Sequence, residues 1–179
     1  MNVMLFVKKK CSKCGKLRSL KYFYYELGKP RNDCSLCKIV STKKRFNTKT
    51  GFLQYLYTGI KSRGKKHADI NHQCYFTFKE FCEAFEKHEK KYGMNSAWGP
   101  HYLPMTMIYQ GRTGKSQKGL KNLGSNMSPD RLDSSKPYTI QNLIFIRSDE
   151  NKRKKDSTYE DCIAHIKLHE ERFITMRSI

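Results

Sequence analysis

Four cysteines near the start of the chain have the spacing of a metal site. Cys11 and Cys14 form one Cys-x-x-Cys pair, Cys34 and Cys37 form a second, and nineteen residues lie between the pairs. Each pair can place two thiolates around one ion, so two pairs supply the four ligands of a tetrahedral zinc site. Four thiolates leave no open position, which predicts a structural Zn²⁺ ion. Buried free thiols or a redox pair are the alternatives, and the aromatic residues at 22–25 are expected to cover the site.

A second group of polar residues lies around Arg131, which is flanked by Asp130 and Asp133. The Ser-Ser-Lys-Pro sequence at 134–137 then interrupts the chain, because a cluster of Ser and Pro between two patterned runs is typical of a loop. Taken singly, these acids suit a solvated turn. The elements that follow them in the sequence support a second interpretation.

The segment after this loop predicts a strand and then a helix. The run at 143–146 contains branched and aromatic apolar residues, which is typical of a buried strand. Ser148 can cap a following helix, and Asp149 and Glu150 lie in its first turn, where the helix dipole favours acids. The pattern therefore predicts a β-β-α unit with an acid at its start and Asn151 on its helix.

This stretch resembles the HNH nuclease family, in the branch found in phages and mobile elements. The family pattern Ser-x-Asp-Arg-x-Asp-x-Ser-Lys-x-Tyr-Thr-x-x-Asn matches the chain from Ser128 to Asn142, and the closing Asn-x-x-Lys/Arg matches Asn151 and Lys154. The resemblance implies a ββα-metal fold in which Asp130 and Asn151 hold one divalent catalytic metal, Mg²⁺ or Mn²⁺. It also implies that Asn142 braces the loop. Carboxylate and amide oxygens suit such a hard cation, which can polarise a phosphoryl oxygen and stabilise the leaving oxygen.

One position departs from the family pattern. The residue after the first Asp is in the family a His that serves as general base, and here it is Arg131. A guanidinium stays protonated in proteins, so Arg131 cannot take up a proton, although it is suited to bidentate binding of a phosphate. His101, in the aromatic loop ahead of this unit, is a candidate substitute base. Alternatively, the metal-bound water reacts without a side-chain base, or the site is weak or inactive.

The charge of the chain predicts a polyanionic partner. The 179 residues carry 36 Lys and Arg against 16 Asp and Glu, a formal net charge of +20. Such a field favours nucleic acid, and we expect double-stranded DNA, with a membrane surface as the alternative. No apolar run is long enough to span a bilayer, and no signal peptide is evident. We therefore expect an intracellular protein, in the cytoplasm of a bacterial or phage-infected cell and not secreted.

These patterns predict an α+β chain of three segments. A zinc-binding module of the zinc-ribbon or treble-clef type is expected at 1–45, a basic helical region that contacts DNA at 46–95, and an HNH-like ββα-metal domain at 96–179, closed by a packing helix from Thr158. In the middle segment, apolar residues four apart predict one helix face: Phe52, Leu56 and Ile60. An exposed basic loop is expected at 61–67. Thr77 and Glu80 form a capping box for a further helix, which should end at Gly93.

The combined prediction is a metal-dependent DNA endonuclease of HNH type. Phage-type relatives indicate a homing or site-specific enzyme, and a single metal unit, which cuts one strand at a time, indicates nicking. Two other classes stay open. One is a non-catalytic zinc-containing nucleic-acid-binding protein that retains the HNH scaffold, favoured by Arg131. The other is a structural protein whose basic surface serves an RNA or an assembly partner.

Overall fold

The structure is a computed structural model that describes residues 7–66, 70–98, 103–109, 123–155 and 157–177. Over these residues the chain is α+β, as predicted, with three separate two-stranded antiparallel sheets and five α-helices. Among the helices described, none has the length and apolarity needed to cross a membrane.

The N-terminal module, which we define as residues 8–46, consists of two hairpins and a helix. Its elements are β1 (Lys8–Lys10) paired with β2 (Leu17–Ser19), β3 (Phe23–Glu26) paired with β4 (Lys29–Cys34), and α1 (Ser35–Phe46). The turn between β3 and β4 places Leu27 at φ 49° and Gly28 at φ 75°. Two consecutive left-handed residues match the twist of a tight hairpin, so this turn brings β4 back alongside β3. Within α1, all of which is described, no residue is buried.

Two helices form the middle of the chain: α2 (Lys49–Lys66) and α3 (Phe78–Tyr92), with a 3₁₀ turn (Ile70–His72) between them. The prediction of a basic loop at 61–67 is wrong as far as Lys66, because α2 continues. Gly64 is buried against the next segment, where an added Cβ would lie 2.7 Å from the His72 carbonyl oxygen. The residue that weakens the helix in isolation is therefore the one that lets the following backbone pack against it.

The predicted start of α3 is confirmed in detail. The Thr77 hydroxyl accepts a hydrogen bond from the Glu80 amide at 3.3 Å, and the Glu80 carboxylate accepts one from the Thr77 amide at 2.7 Å. The rings of Phe76 and Phe81 stack with centroids 5.9 Å apart across this cap. Gly93, at φ 65°, follows the last residue of the helix. Both ends of α3 form as predicted, because the residues that determine each end lie within one helical turn of it.

The last part of the chain contains the predicted β-β-α order and a closing helix. Its elements are β5 (Met127–Arg131), β6 (Leu143–Arg147), α4 (Ser148–Lys154) and α5 (Tyr159–Arg177). The N-cap of α4 is Arg147, not Ser148 as predicted, and the Glu150 carboxylate accepts a hydrogen bond from the Arg147 amide at 3.2 Å. The predicted helix after Thr158 is confirmed, and the Thr158 hydroxyl caps it by accepting from the Asp161 amide at 3.2 Å.

One apolar core joins the helical region to the sheet of β5 and β6. The face predicted on α2 supplies Phe52 and Ile60, α3 supplies Phe81 and Phe85, and β6 supplies Phe145. Each such side chain, when fully buried, stabilises the fold by roughly 1.5–3 kcal/mol. Because the same cluster contains residues from 52 to 145, α2 and α3 form the support on which the β-β-α unit rests.

His88 lies within this core and should make stability depend on pH. The residue is 7 % exposed, its Nε2 lies 2.8 Å from the Asn95 carbonyl oxygen, and burial lowers its pKa to about 4. An unfolded His titrates near pH 6.5, so between pH 6.5 and 4 the unfolded chain binds a proton that the native His88 does not. The free energy of unfolding should therefore fall by on the order of 3 kcal/mol as the pH falls through that window, and this term should level off below it.

Urea titrations of the wild type and His88→Gln at several pH values between 7 and 4 measure this effect. In the variant, the free energy of unfolding should no longer show the decrease between pH 6.5 and 4 that His88 causes in the wild type. Equal slopes in the two proteins would show that other groups cause the pH dependence.

Candidate functional site

The four predicted cysteine ligands come together in the folded chain. Their sulfur atoms all lie within 4.8 Å of one another. The Sγ atoms of Cys11 and Cys37 are 3.8 Å apart, which is about the 3.8 Å separation that two thiolates have when each lies about 2.3 Å from one tetrahedral zinc ion. The predicted group of Cys11, Cys14, Cys34 and Cys37 is therefore confirmed, and it can hold a structural metal such as zinc.

The folding of the module explains why these sulfurs meet. Cys11 and Cys14 lie in the turn between β1 and β2, Cys34 ends β4, and Cys37 lies in the first turn of α1. The Cys34 amide donates a hydrogen bond to the Cys11 sulfur at 3.2 Å and lowers the pKa of Cys11 to about 6. A hydrogen bond with the Cys34 sulfur, together with burial, raises the pKa of Cys37 to about 12. The amide contact thus favours the thiolate form that binds a metal.

Only one of the aromatic residues at 22–25 covers the metal group. Phe23 is buried against Cys11 and Cys34, whereas Tyr22, Tyr24 and Tyr25 are exposed. Successive side chains on a strand point to opposite faces, so Tyr24 faces away from Phe23. A register shift between Phe23 and Tyr25 also turns Tyr25 outward. The expectation that all four rings cover the site is therefore wrong for the three tyrosines.

The β-β-α unit, formed by β5, β6 and α4, places Asp130 and Asn151 where its helix meets its first strand. Asp130 and Ser128 are two residues apart on β5 and so share a face. The Asn151 amide nitrogen donates a hydrogen bond to the Ser128 hydroxyl at 2.9 Å, and Lys154 Nζ lies 3.1 Å from Asp130 Oδ2. Asn151 and Lys154, on one face of α4, thus contact Ser128 and Asp130, on one face of β5.

The ion pair between Asp130 and Lys154 is buried. The Lys154 side chain is 0 % exposed and that of Asp130 is 13 % exposed. Lys154 Nζ also lies 3.3 Å from the Ser134 hydroxyl and 6.0 Å from the centre of the Trp98 ring. Among the described residues, no group donates a hydrogen bond to Oδ1 of Asp130. A divalent ion bound there would therefore share the carboxylate with the Lys154 ammonium.

Asn142 fastens the loop between β5 and β6. Its side-chain oxygen accepts a hydrogen bond from the Asp133 amide at 2.8 Å, and its nitrogen donates to the Asp133 and Pro137 carbonyl oxygens, each at 3.0 Å. The Ser135 hydroxyl donates to Asp133 at 2.6 Å, and with the Lys136 ammonium at 3.0 Å it lowers the pKa of Asp133 to about 2. Asp133 therefore stays ionised as part of the loop framework.

Arg131 lies at the end of β5 with its guanidinium against an aromatic ring. The guanidinium carbon is 5.1 Å from the centre of the Tyr138 ring, and Nη1 donates a hydrogen bond to the Lys136 carbonyl oxygen at 3.3 Å. These contacts hold the guanidinium in one orientation, and its permanent positive charge suits it to a contact with a phosphate. The other predicted residue, His101, lies outside the described residues.

Sequence reasoning missed the role of Lys154, which entered only as the closing residue of the family pattern. The available signal was its position three residues after Asn151, which places both on one face of a helix.

The Cys₄ group is the one set of three or more His, Cys, Asp and Glu side chains within the described ranges that can hold a metal. Comparisons with protein-family models, with curated proteins and with solved structures find no match to this chain.

Proposed function

We propose that the protein is a metal-dependent DNA endonuclease of HNH type, of the homing or site-specific, nicking kind. The observation that supports this proposal most directly is the position of Asp130 and Asn151, whose side chains both lie where α4 meets β5. A carboxylate and an amide carbonyl are suitable ligands for Mg²⁺ or Mn²⁺. The formal charge of +20 provides the attraction to a polyanionic substrate.

Each residue of the unit has a defined part in this proposal. Asp130 and Asn151 would hold the divalent ion, which supplies polarisation of the phosphoryl oxygen and stabilisation of the leaving oxygen. Arg131, held against Tyr138, binds and orients a phosphate. Asn142 keeps the loop between the strands in place. Lys154 fixes the orientation of the Asp130 carboxylate.

The N-terminal module fits a second part of the proposal, which is to hold the DNA. Its order of cysteine turn, hairpin and helix, with four sulfur atoms close together, supports the proposal of a treble-clef module with a structural zinc ion. Residues 8–46 contain thirteen Lys and Arg but only two acids, Glu26 and Asp33, and Arg31 pairs with both at 3.1 and 3.3 Å. Contacts to the phosphate backbone should therefore dominate its affinity. The proposed function includes a location in the cytoplasm of a bacterial or phage-infected cell, where such a DNA substrate is accessible.

Two observations favour a second candidate function, a non-catalytic zinc-containing DNA-binding protein. The Lys154 ammonium already neutralises Asp130, and Arg131 stands where the family has its general base. A protein of this kind would use the same basic surface without hydrolysing the phosphodiester bond. The two functions differ in their response to added metal.

Cleavage by Asn151→Ala and Ser128→Ala separates these functions. Both changes remove the hydrogen bond between Asn151 and Ser128, but only Asn151→Ala removes the proposed metal ligand. With Mg²⁺ or Mn²⁺, the wild type and Ser128→Ala should nick supercoiled plasmid or phage genomic DNA, whereas Asn151→Ala should lose more than about a hundredfold in rate. If all three proteins bind both DNAs and cut neither, the catalytic proposal is wrong and the binding function is the better one.

A further inference from the structure

We propose that Arg63 of α2 and Arg131 of β5 form one binding site for a phosphodiester group of a DNA strand. The site lies at the ring of Tyr138, where the helical region meets the β-β-α unit. This inference rests on the proposed nucleic-acid partner and adds to it the residues that hold the DNA backbone at the junction of α2 and β5. Arg63 belongs to a segment that the sequence places in an exposed loop, and the fold gives it a fixed position instead.

The two guanidinium groups converge on one ring. The guanidinium carbon of Arg131 is 5.1 Å from the centre of the Tyr138 ring, and that of Arg63 is 6.0 Å from the same centre. An arginine that lies against an aromatic ring keeps its planar group in one orientation and still presents N–H donors at the edges of that plane. Two such groups at one ring can therefore share a phosphate or hold adjacent oxygens of one strand.

The ring itself is a rigid platform. Tyr138 is buried, its amide donates a hydrogen bond to the Gln73 carbonyl oxygen at 2.9 Å, and its carbonyl oxygen accepts one from the Tyr75 amide at 2.9 Å. These two backbone hydrogen bonds connect the loop between β5 and β6 to the segment that follows the 3₁₀ turn. Lys61 Nζ, also on α2, donates to the Cys74 carbonyl oxygen at 3.3 Å and adds a third cation to this junction.

The backbone around Gly64 sets the position of Arg63. The side-chain nitrogen of Gln73 donates a hydrogen bond to the Gly64 carbonyl oxygen at 3.1 Å. The close approach of the His72 carbonyl oxygen to Gly64 leaves no space for a side chain there. The last turn of α2 is therefore fastened to the segment that also holds Tyr138. This arrangement carries Arg63, from the helical region, to a ring that Arg131 reaches from β5.

The charges around Arg63 suit an anion. Arg63 is exposed, and within the described ranges no carboxylate forms an ion pair with it. The Tyr138 ring carries no negative charge, so the Arg63 guanidinium keeps its attraction for a phosphate. Arg131 follows Asp130 on β5, and successive side chains on a strand point to opposite faces, so the two arginines would hold the DNA backbone on the face of β5 opposite the Asp130 carboxylate. A phosphodiester is therefore the ligand chemistry that this site fits.

Binding of a short fluorescein-labelled DNA duplex, measured over a range of salt concentrations without added divalent metal, tests the proposal. Arg63→Ala should weaken binding by about tenfold and reduce the salt slope by about one phosphate contact. Lys79→Ala is the matched control, because it removes one positive charge from an exposed site on α3. It should change affinity by less than about twofold. Arg63→Lys should restore the salt slope but not the full affinity, because an ammonium cannot stack on Tyr138 or bind bidentately.

A double-mutant cycle with Arg131→Ala shows whether the two arginines serve one group. If they do, the loss in Arg63→Ala/Arg131→Ala should be clearly smaller than the product of the two single losses. Losses that multiply, or an Arg63→Ala affinity equal to that of Lys79→Ala, would overturn the shared site while leaving the nucleic-acid function intact. If the wild type itself shows no salt-dependent binding to DNA, the proposed function fails and this inference fails with it.

Discussion

A chelator that removes the metal is expected to unfold the N-terminal module and leave the rest of the chain folded. The buried cluster of the module consists of Cys11, Phe23 and Cys34, with Cys37 partly buried beside them. A single buried Phe contributes about 3 kcal/mol at most, which cannot offset the conformational entropy of ordering the module. Zinc in comparable peptide sites contributes roughly 10–16 kcal/mol, so a zinc ion bound by the four cysteines would supply most of the stability of this module.

The remainder should stay folded because its core contains none of the four ligands. The main cluster includes Ile60, Phe81, Phe85 and Phe145, which lie on α2, α3 and β6. Phe46, at the end of α1, packs edge-to-face on Tyr109 with ring centroids 4.8 Å apart, so the last turn of α1 should keep this contact. Loss of structure should therefore stop near the end of α1.

Metal content and amide spectra of matched cysteine variants measure this effect. The wild type should contain one zinc per chain, and Cys34→Ser should lose it together with the dispersed amide signals of residues 8–46. Cys82→Ser is the control, since Cys82 lies on α3 outside the metal group and packs against the main core. Dispersed signals from residues 8–46 after complete removal of the metal would contradict the prediction.

Features with local causes could be predicted from the sequence. The capping box of Thr77 and Glu80 forms because both partners lie within one turn. The buried face that contains Phe52 and Ile60 follows from the helical repeat, because apolar residues at this spacing lie on one side of a helix whatever packs against it. The cysteine group follows from spacing, because each pair needs only its own turn to supply two ligands.

Features that depend on distant segments could not be predicted in this way. Gly64 weakens a helix in isolation, and only the approach of the His72 carbonyl oxygen shows why α2 continues through it. The orientation of Tyr25 depends on a register shift in a hairpin, which strand alternation alone does not reveal. In each case the contact that determines the structure is made by residues outside the short stretch of sequence in which the pattern is seen.

The candidate site shows the same division. The family pattern places Asp130 and Asn151 in one unit, and the structure brings both to the junction of β5 and α4. A lysine near the end of a basic helix is expected to be exposed, because a buried ammonium needs a charge partner. Asp130 is that partner for Lys154, and it lies on another element, 24 positions earlier in the sequence. The burial of Lys154 therefore became visible only in the folded chain.

The burial of this ion pair leads to a large predicted effect on stability. Asp130→Ala should lower the free energy of unfolding by about 3–5 kcal/mol, because it leaves the fully buried Lys154 ammonium without a counter-charge. Lys154→Met should have a similar effect through the uncompensated carboxylate. Asp130→Leu/Lys154→Met should recover most of the loss, since well-packed apolar groups of similar volume can replace a buried ion pair.

Urea unfolding of this set, together with Lys136→Ala, measures the effect. Lys136 also forms an ion pair in this loop, with Asp133 at 3.0 Å, but its side chain is 67 % exposed, so its removal should cost less than about 1 kcal/mol. If Asp130→Ala is no less stable than Lys136→Ala, the pair is not buried in solution. Loss of cleavage in Asp130→Ala alone cannot identify a metal ligand, because unfolding would produce the same loss. Cleavage by the folded Asn151→Ala variant, compared with Ser128→Ala, therefore gives the clearer test of metal binding at this site.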